Sequence, residues 1–551
     1  AVFALVVFNR LWMAHLYPFP AWSDSLHHTL LTQLTAQSGR LPLTLEPYAP
    51  IPLEMYHLGL YALAGPVQIL AEVPAHMALL WTAQFFNALC IIGVFLALDA
   101  LAGRKAALVG SLVVGLFSFQ PAWYINWGRF TQAAGQAVLL VGWFVTYEAI
   151  RAWTEPSTVS TLKGLPLKVE KNNNPIRAWM GRAAENPGAL VLTLAAALLN
   201  AGIFELHFRV AGFYLPLLFL STAWQILQAA RARRARWALA GIAAVGVLSV
   251  LLILPVALDG VQVYLRRSAA TAAAAAARTG PRDLTYYSGS PGDIFALGLQ
   301  PWLLAWAALS AVILVLRRRG WGIGTLLWVV LLWLEGHAYL LDIPALSFTN
   351  YGAILILYYL PAGLLIGLGA QELLAWLPRL DTPAFHHGAL TVLLTGAVFA
   401  SHIHSQTIDA PRYFVTPADL PAMDWINANT PPDALFAVNT YFWMKDAAHG
   451  VDAGYWIPYF TGRQTTASVM LYPYGPPEYR EKILALSRAA ASLAEDPAAL
   501  DTLCQMGVDY LYLGANRYPT AALSAGAAAA LPGARLVYDQ DGVKIFRLCG
   551  P

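Results

Sequence analysis

The run Ala21-Trp22-Ser23-Asp24-Ser25-Leu26-His27-His28 follows the first apolar segment and sets an acid and two histidines where a membrane-embedded helix would end. A carboxylate at such a boundary is costly unless it has a partner or a function. Asp24 and His28 are four residues apart, so they share one face of the helix predicted from here to Gln37. Two interpretations of Asp24 stay open: it caps that helix, or it is a catalytic acid/base group.

The composition on either side of this run is that of an integral membrane protein. Of the 551 residues, 58% are hydrophobic and only 12% are charged, whereas a soluble domain carries about 25% charged residues. The net charge of +3 gives no indication of nucleic-acid binding, and none is expected. Three cysteines are too few for a disulfide framework or a cysteine-rich metal site; Cys504 and Cys549 could pair in an oxidising compartment or stay free.

Apolar stretches long enough to cross about 30 Å of hydrocarbon recur along the first 400 or so residues. About eleven transmembrane helices are predicted, near residues 1–17, 75–100, 107–122, 132–152, 188–205, 208–229, 236–258, 294–316, 320–340, 351–376 and 386–404. The stretch 54–72 is also apolar, but Glu54, His57, Pro66 and Glu72 interrupt it. It is predicted to lie in the membrane interface instead of crossing.

This assignment puts the positively charged clusters on one side of the membrane, at residues 104–105, 163–182, 231–236 and 317–319. Because positive loops stay in the cytoplasm, the opposite, extracytoplasmic face receives the loop 18–74, the other polar loops and everything after residue 405. The sequence therefore predicts a multi-pass protein of the plasma (inner) membrane. It predicts that any chemistry takes place outside the cytoplasm.

The chain divides into two predicted parts. Residues 1–404 form the transmembrane module, which includes the first outer loop 18–74, and residues 405–551 form an extracytoplasmic soluble α/β domain. In that domain the pattern predicts helices over 419–429 and 478–495, strands over 434–439 and 509–513, and a hairpin of 536–538 with 543–548.

Unusual polar residues concentrate on the predicted outer face. The first loop adds His28, Glu54 and His57 to Asp24. For His27 and His28, interface packing or hydrogen bonding is favoured over metal ligation. The short loop 123–132 surrounds Arg129 with aromatic residues; such aromatics are typical of a membrane boundary, whereas an arginine there can hold a phosphate.

Two further outer loops carry the same residue types. One contains Glu205, His207 and Arg209, and the other contains Glu335 and His337 with Asp342 nearby. Several such groups on one face predict a shared polar cavity approached by Asp24, Arg129 and Arg209. Arg266-Arg267, near Tyr264, is a weaker candidate, since simple attraction to anionic headgroups is the favoured explanation for this pair.

The soluble domain has one candidate segment, from Asp452 through Tyr455 to Ile457. Glycine, tyrosine and tryptophan in this segment suit a platform for a sugar or an acceptor. A turn with an aromatic core plug is the alternative.

These features resemble the GT-C superfamily of polytopic glycosyltransferases. In that superfamily a first helix leads to a large outer loop with an early Asp, here Asp24, followed by interfacial helices, here 53–72, and a span that ends in a basic turn, here 75–100 with Arg104-Lys105. The arrangement is similar to lipid A aminoarabinose transferases and protein O-mannosyltransferases. The segment 452–457, with Trp425-Ile426 and Asn429-Thr430-Pro431 upstream, resembles the WWDYG region of oligosaccharyltransferases, although Gly450-Val451 and Ala453 replace its aromatic residues.

The resemblance implies a glycosyltransferase that moves a sugar, with inversion, from a polyprenyl-phosphate or polyprenyl-pyrophosphate donor to a glycan, lipid or protein acceptor. Asp24 would be the base. Arg129 and Arg209 are the predicted phosphate-binding residues, chosen on placement. The residues predicted to shape the acceptor side and the cavity are His28, Glu54, His57, Glu205, His207, Glu335, His337, Asp452 and Tyr455. Some relatives need a divalent cation and others do not, and no DxD-type ligand set is present, so metal use stays open.

Two other functions share these features. A transporter or flippase of a lipid-linked substrate would use the same polar cavity, but the chain shows no internal repeat of spans and no paired broken helices, which many transporters have. A non-catalytic membrane subunit of an envelope assembly is the third hypothesis. Replacing Asp24 by Asn separates the three, because only an enzyme would lose turnover while it keeps its fold and its lipid binding.

Overall fold

The structure is a computed structural model of the chain. It describes residues 1–54, 56–154, 186–276, 284, 286–341, 349–376, 382–406, 408–496, 498–521 and 523–549. The predicted basic loop 163–182 and Asp342 lie outside the described residues, as do the side chains of Tyr264 and Arg267.

The first 405 residues are mostly helical. In chain order, the α-helices are α1 (Val2–Leu16), α2 (Asp24–Ser38), α3 (Tyr61–Ala71), α4 (Ala75–Ala102), α5 (Arg104–Leu112), α6 (Phe130–Thr154), α7 (Pro187–Leu206), α8 (Phe208–Arg231), α9 (Ala235–Ala276), α10 (Pro301–Leu316), α11 (Gly320–Gly336), α12 (Tyr351–Leu355), α13 (Tyr359–Trp376) and α14 (Pro383–Ser405). Short π-helical turns follow α5 at Val113–Phe117 and precede α10 at Ile294–Gly298.

Among the described residues, 8 helical segments are long and apolar enough to cross a membrane. They are Ala75–Ala102, Arg104–Asn126, Phe130–Thr154, Pro187–Leu206, Phe208–Arg231, Ala235–Leu258, Tyr351–Trp376 and Pro383–Ser405. The polytopic helical architecture is therefore confirmed, but the count of eleven spans is not.

The remaining three predicted spans correspond to shorter apolar helices. α1, α10 and α11 have 15, 16 and 17 residues. At 1.5 Å per residue they measure about 22–26 Å, which is less than the hydrocarbon thickness of about 30 Å. α3, within the stretch predicted to be interfacial, has 11 residues and is too short to cross.

The C-terminal region is an α/β domain, as predicted. Its helices and strands are α15 (Leu420–Asn429), β1 (Leu435–Val438), β2 (Thr440–Met444), β3 (Ala447–Gly450), α16 (Ile457–Thr461), β4 (Gln464–Thr465), α17 (Pro477–Ser492), α18 (Ala499–Gln505), β5 (Tyr510–Leu513), α19 (Ala525–Ala529), β6 (Arg535–Gln540) and β7 (Val543–Arg547). A sheet of order β4-β1-β5-β7-β6 forms its centre, with β1 parallel to β4 and β5, and β7 antiparallel to β5 and β6.

The hairpin of β6 and β7 confirms the sequence pattern. Asp541 and Gly542 connect the two strands with φ angles of 51° and 86°, and two successive positive φ angles are what a tight hairpin turn requires. The antiparallel pair of β2 and β3 was not predicted, because its alternation is interrupted by a bulge between Phe442 and Met444.

The chain forms two compact units. Unit 1 consists of Ala1–Asn9, Phe86–Ala122 and Thr131–His404. Unit 2 consists of Arg10–Phe85, Trp123–Phe130 and Ser405–Pro551. The hydrophobic core of unit 1 is built from its apolar helices. In unit 2, one core joins the first outer loop to the C-terminal region, since Leu26, Leu30 and Ile51 pack in the same cluster as Phe436 and Trp456.

A disulfide joins Cys504, in α18, to Cys549, beyond the end of β7, with the Cα atoms 5.6 Å apart. Of the two alternatives left open by the sequence, the structure has the bridged one. Cys90 is a free, buried cysteine in α4.

Candidate functional site

Asp24 is the first residue of α2, and Ser23 occupies the N-cap position without a side-chain cap hydrogen bond. The interpretation of Asp24 as the N-cap is therefore wrong by one residue. Asp24 is half-buried and lies in the first turn, where a negative charge is favourable beside the exposed N–H groups of the helix.

A strained residue sets the start of this helix. Trp22 has a φ of 71°, which is a genuine outlier for a bulky side chain and marks a backbone that its surroundings hold in place. The Trp22 N–H donates to the Arg412 carbonyl at 2.9 Å, and the Arg412 guanidinium lies 4.6 Å from the centre of the Trp22 ring. Contacts inside unit 2 thus fix where α2 begins.

α2 buries a polar face. Ser25, His27, His28, Thr29 and Thr32 are all buried. The Thr29 hydroxyl donates to the Ser25 carbonyl at 2.8 Å, and the Thr32 hydroxyl donates to the His28 carbonyl at 2.9 Å. Because buried hydroxyls need partners, these bonds let a polar face pack inside the unit.

The two histidines belong to a hydrogen-bonded chain of four rings. His27 Nε2 lies 2.8 Å from the Tyr56 hydroxyl, and His28 Nδ1 lies 2.5 Å from the Tyr61 hydroxyl. The Tyr56 and Tyr61 hydroxyls also hydrogen-bond to each other. The chain therefore runs from His27 through both tyrosines to His28, which itself hydrogen-bonds to the backbone of Gly128.

Burial and charge set the ionisation of this group. Burial lowers the pKa of His28 to about 3, and it lowers the pKa of His27 well below the ordinary value, with help from the nearby His28 and His57. Burial also raises the pKa values of Tyr56, Tyr61 and Tyr455, and the Asp24 carboxylate raises each of them further. Asp24 is thus a negative charge among neutral phenols and neutral imidazoles.

The loop that carries Arg129 makes a close backbone contact with the start of α2, at the residue before Arg129. Gly128 has a φ of +62°, and a Cβ on it would lie 2.5 Å from Ser25 Oγ and 3.0 Å from the Ser25 nitrogen. Since consecutive Cα atoms are 3.8 Å apart, this contact leaves the Cα atoms of Arg129 and Asp24 about 11 Å apart at most. The Arg129 guanidinium lies 5.5 Å from the centre of the Trp127 ring.

The other first-loop candidates have different environments. Glu54 is exposed. The His57 ring stacks on Tyr56 at a centroid distance of 4.3 Å, so His57 lies next to the chain of rings.

Arg209, in unit 1, faces a group of aromatic residues. Its Nη2 donates to the Tyr286 hydroxyl at 2.8 Å. Tyr286 and the following Tyr287 are in edge contact at 5.0 Å, and Tyr287 stacks on Tyr339 at 5.5 Å. His207 is buried between α7 and α8, where its N–H donates to the Ile203 carbonyl at 3.0 Å.

The remaining candidates of unit 1 lie at the ends of helices. Glu205 is in the last turn of α7. His337 ends α11, where its Nδ1 lies 2.8 Å from the Trp333 carbonyl and its ring lies 5.2 Å from that of Tyr351. Both carboxylate oxygens of Glu335 are buried without a hydrogen-bond partner among the described residues. A buried carboxyl of this kind is expected at a binding surface more than in plain packing.

Asp452 holds the backbone of the soluble domain together. Its oxygens accept hydrogen bonds from the Gly454 N–H at 2.9 Å, from the Gly514 N–H at 3.2 Å and from the Asn439 amide at 3.2 Å. Burial nevertheless raises its pKa to about 6. These bonds are those of a structural turn, with Tyr455 and Trp456 buried behind it, which favours the alternative of an aromatic core plug for this segment.

Sequence reasoning missed several residues of this site. Tyr61 is one of the four rings of the chain, and the Gly128 backbone hydrogen-bonds to His28 at its end. Arg412 lies against the Trp22 ring, far from it in the sequence. The glycine at position 128 was the local signal available in the sequence, because a glycine in a short aromatic loop often marks a close backbone approach. Within the described part of the chain, no group of three His, Cys, Asp or Glu side chains could hold a metal ion.

Comparison with solved structures shows the fold. The chain aligns over 100% of its length with 74% of an oligosaccharyltransferase from Archaeoglobus fulgidus, solved with a tethered acceptor peptide that contains an NVT sequon, at 12% identity and a TM-score of 0.51. It also aligns over 100% of its length with 98% of ArnT from Cupriavidus metallidurans in the apo state, at 12% identity and a TM-score of 0.53.

Both of these proteins are GT-C superfamily glycosyltransferases, so the predicted resemblance to that superfamily is confirmed at the level of the fold. No protein-family model and no curated protein matches the chain by sequence.

Proposed function

We propose that this protein is a glycosyltransferase that moves a sugar from a polyprenyl-phosphate or polyprenyl-pyrophosphate donor to an acceptor outside the cytoplasm. The observation that carries the proposal is the position of Asp24, a half-buried carboxylate in the first turn of α2. The backbone contact of Gly128 keeps its Cα within about 11 Å of the Arg129 Cα. The fold shared with two glycosyltransferases supports it.

In this proposal Asp24 is the base. Its carboxylate takes the proton of the acceptor nucleophile, whose lone pair forms the new bond to the anomeric carbon of the sugar. The bond from that carbon to the donor phosphate breaks, and the electron pair leaves with the phosphate. Attack opposite the leaving group inverts the anomeric carbon.

Arg129 is the proposed partner of the departing phosphate. Charge-assisted hydrogen bonds from a guanidinium stabilise the negative charge that develops on the leaving oxygen. Arg209, which donates to Tyr286 in unit 1, stays a sequence-based prediction for phosphate binding. Within unit 2, His28, Glu54 and His57 are proposed to shape the acceptor side. The cavity roles of Glu205, His207, Glu335, His337 and Tyr455 stay predictions.

The surroundings of Asp24 suit a base. Tyr56, Tyr61 and Tyr455 have raised pKa values, and His27 and His28 have lowered ones. These shifts keep all five rings neutral at pH 7.

We propose that residues 1–404 form the transmembrane module of a plasma-membrane protein and that residues 405–551 form its extracytoplasmic domain. The distribution of Lys and Arg over the loops supports this orientation. The disulfide between Cys504 and Cys549 supports it as well, because disulfides persist in oxidising compartments.

The Asp24→Asn variant tests the proposal. Purified protein in lipid nanodiscs is given a polyprenyl-phosphate sugar donor and an acceptor mixture, and the released polyprenyl phosphate is measured by mass spectrometry. Loss of the base should lower turnover by about 10³-fold. The thermal unfolding midpoint and the retained lipid should stay close to those of the wild type.

Asp433→Asn is the matched control, since Asp433 is an exposed acid of the same unit. It should keep wild-type turnover. An Asp24→Asn protein that transfers sugar at the rate of this control would exclude Asp24 as the base. Repeating the assay with a chelator, and then with added Mg²⁺ or Mn²⁺, decides whether a divalent cation takes part.

A further inference from the structure

A groove of about 380 Å³ opens in unit 1 between α5, α10, α13 and α14. Its wall is formed almost entirely by aliphatic and aromatic side chains, among them Leu112, Trp306 and Leu390. Lys105 and His386 are its two basic residues. The groove has no part in the proposed sugar transfer.

The lining residues run along α5 from Lys105 to Leu112 and along the first half of α14 from Phe385 to Leu393. On α10 they run from Trp306 to Ile313, and on α13 they lie in the second half. From Lys105 to Leu112 the groove follows α5 for about 10 Å. It therefore fits within one leaflet, whose hydrocarbon is about 15 Å deep.

The mouth of the groove is positively charged. The Lys105 Nζ lies 3.3 Å from His386 Nε2, and Arg104 precedes it. At the end of α10, Arg317 Nε and Arg319 Nε lie 3.5 Å and 2.8 Å from the carboxylate of Glu372. Among the described charges at this end, the carboxylates of Glu372 and of Asp99, near the end of α4, are outnumbered by Arg104, Lys105, Arg317 and Arg319, so these charges sum to a net positive value.

A second groove in the same unit provides a comparison. It has a similar volume of about 370 Å³ and an apolar wall that includes Trp143, Trp224 and Trp321, but its lining has no charged side chain. An apolar wall alone would accept any lipid tail. The cations at the mouth distinguish the first groove.

We propose that the first groove is a binding site for an anionic glycerophospholipid. An acyl chain lies along α5 and α14, and the headgroup phosphate contacts Lys105 and His386. A basic pocket between membrane helices attracts an anionic headgroup over a neutral one. A depth of one leaflet suits an acyl chain and is too short for a long polyprenyl chain.

Native mass spectrometry tests this site. The protein is reconstituted in vesicles of equal parts phosphatidylglycerol and phosphatidylcholine, extracted in mild detergent, and the retained lipids are counted. The wild type should keep phosphatidylglycerol over phosphatidylcholine. Lys105→Glu should lower that preference by about 5-fold, and Lys105→Arg should restore it.

Arg231→Glu is the matched control, because Arg231 is an exposed cation at the end of α8 that does not line the first groove. It should leave the preference unchanged. Ala389→Trp, which fills the groove wall, should reduce retention of the lipid with Lys105 intact. If that variant does not fold, the comparison of Lys105→Glu with Lys105→Arg decides alone.

Three results would overturn the proposal. The wild type could retain both phospholipids equally. The Arg231→Glu variant could lose as much phosphatidylglycerol as Lys105→Glu, which would indicate general surface attraction. A polyprenyl phosphate added to the vesicles could displace phosphatidylglycerol from the wild type but not from Lys105→Glu, which would assign the groove to that lipid.

Discussion

At the scale of single residues, the site depends on histidines that stay neutral. His27 and His28 are 2% and 3% exposed, and each contacts a tyrosine hydroxyl. A protonated imidazole at either position would be a buried charge without a carboxylate among its described hydrogen-bond partners. Because a proton on either buried ring is unfavourable, the stability of the folded loop 18–74 should depend on pH.

Acidification should destabilise unit 2 through His28. The pKa of His28 is about 3 in the folded protein and 6.5 for an unperturbed histidine, so below pH 6.5 the unfolded chain binds a proton that the folded chain excludes. Unfolding then becomes easier as the pH falls. Between pH 7.5 and pH 5, the His28 contribution lowers the free energy of unfolding by about 2 kcal/mol. Thermal unfolding at the two pH values measures it.

The His28→Asn variant should be less stable than the wild type at pH 7.5 but lose less stability on going to pH 5. The exposed His387 is the control, and His387→Asn should keep the wild-type difference between the two pH values. An unchanged pH difference in His28→Asn would show that another group carries the acid sensitivity.

At the scale of an element, Gly128 allows the loop Trp123–Phe130 to pack closely against α2. The hypothetical Cβ of Gly128 falls 2.5 Å from Ser25 Oγ, whereas that of Gly39, at the end of α2, has nothing within 4 Å. The two glycines have nearly equal φ angles of 62° and 65°. An alanine at either position would therefore have the same backbone strain. The two positions differ only in the free space around the added Cβ atom.

Gly128→Ala should therefore move the loop and displace Arg129. Under the proposed function, the KM for the donor rises about 10-fold or more, since a small misplacement of a positioning group has a large effect. Gly39→Ala should cost about 1 kcal/mol of stability, as expected for a left-handed backbone with a side chain, and should leave the KM unchanged. Steady-state kinetics of both variants measure the difference, and equal KM values would contradict a positioning role for Gly128.

At the scale of the whole molecule, the disulfide closes a loop of 45 residues between Cys504 and Cys549. In the chain-entropy account, a loop of this length is worth about 4 kcal/mol. Reducing agent should therefore lower the unfolding midpoint of the C-terminal region, and the double variant Cys504→Ser/Cys549→Ser should start at the lower value. The Cys90→Ala variant, which lacks the free buried cysteine, should respond to reducing agent like the wild type.

The orientation of the chain is also testable at this scale. In a background without native cysteines, Ala494→Cys in the C-terminal region should react in intact cells with a maleimide that cannot cross the membrane. Ala232→Cys, between α8 and α9, should react only after the cells are permeabilised. Both positions are exposed, so accessibility within the fold does not separate them. The reverse pattern would place the C-terminal region in the cytoplasm.

The sequence determined the class of the molecule, since apolar runs, loop charges and a change of composition near residue 405 are local properties that a short window contains. It also singled out Asp24 as a candidate, because an acid that follows an apolar run is conspicuous in the sequence, and the role of Asp24 stays a prediction. It did not determine which apolar helices are long enough to cross, because helix ends depend on packing and on turns such as those at 113–117 and 294–298.

Only the tertiary structure decided what surrounds Asp24. Tyr61 and Gly128 meet His28 from two distant segments, and Arg412 meets Trp22 from a third. Such contacts depend on the folded path of the chain, which the spacing of residues in the sequence does not reveal. For the same reason Asp452, a candidate for the cavity by its motif, proved to be a carboxylate with three donors in a buried turn.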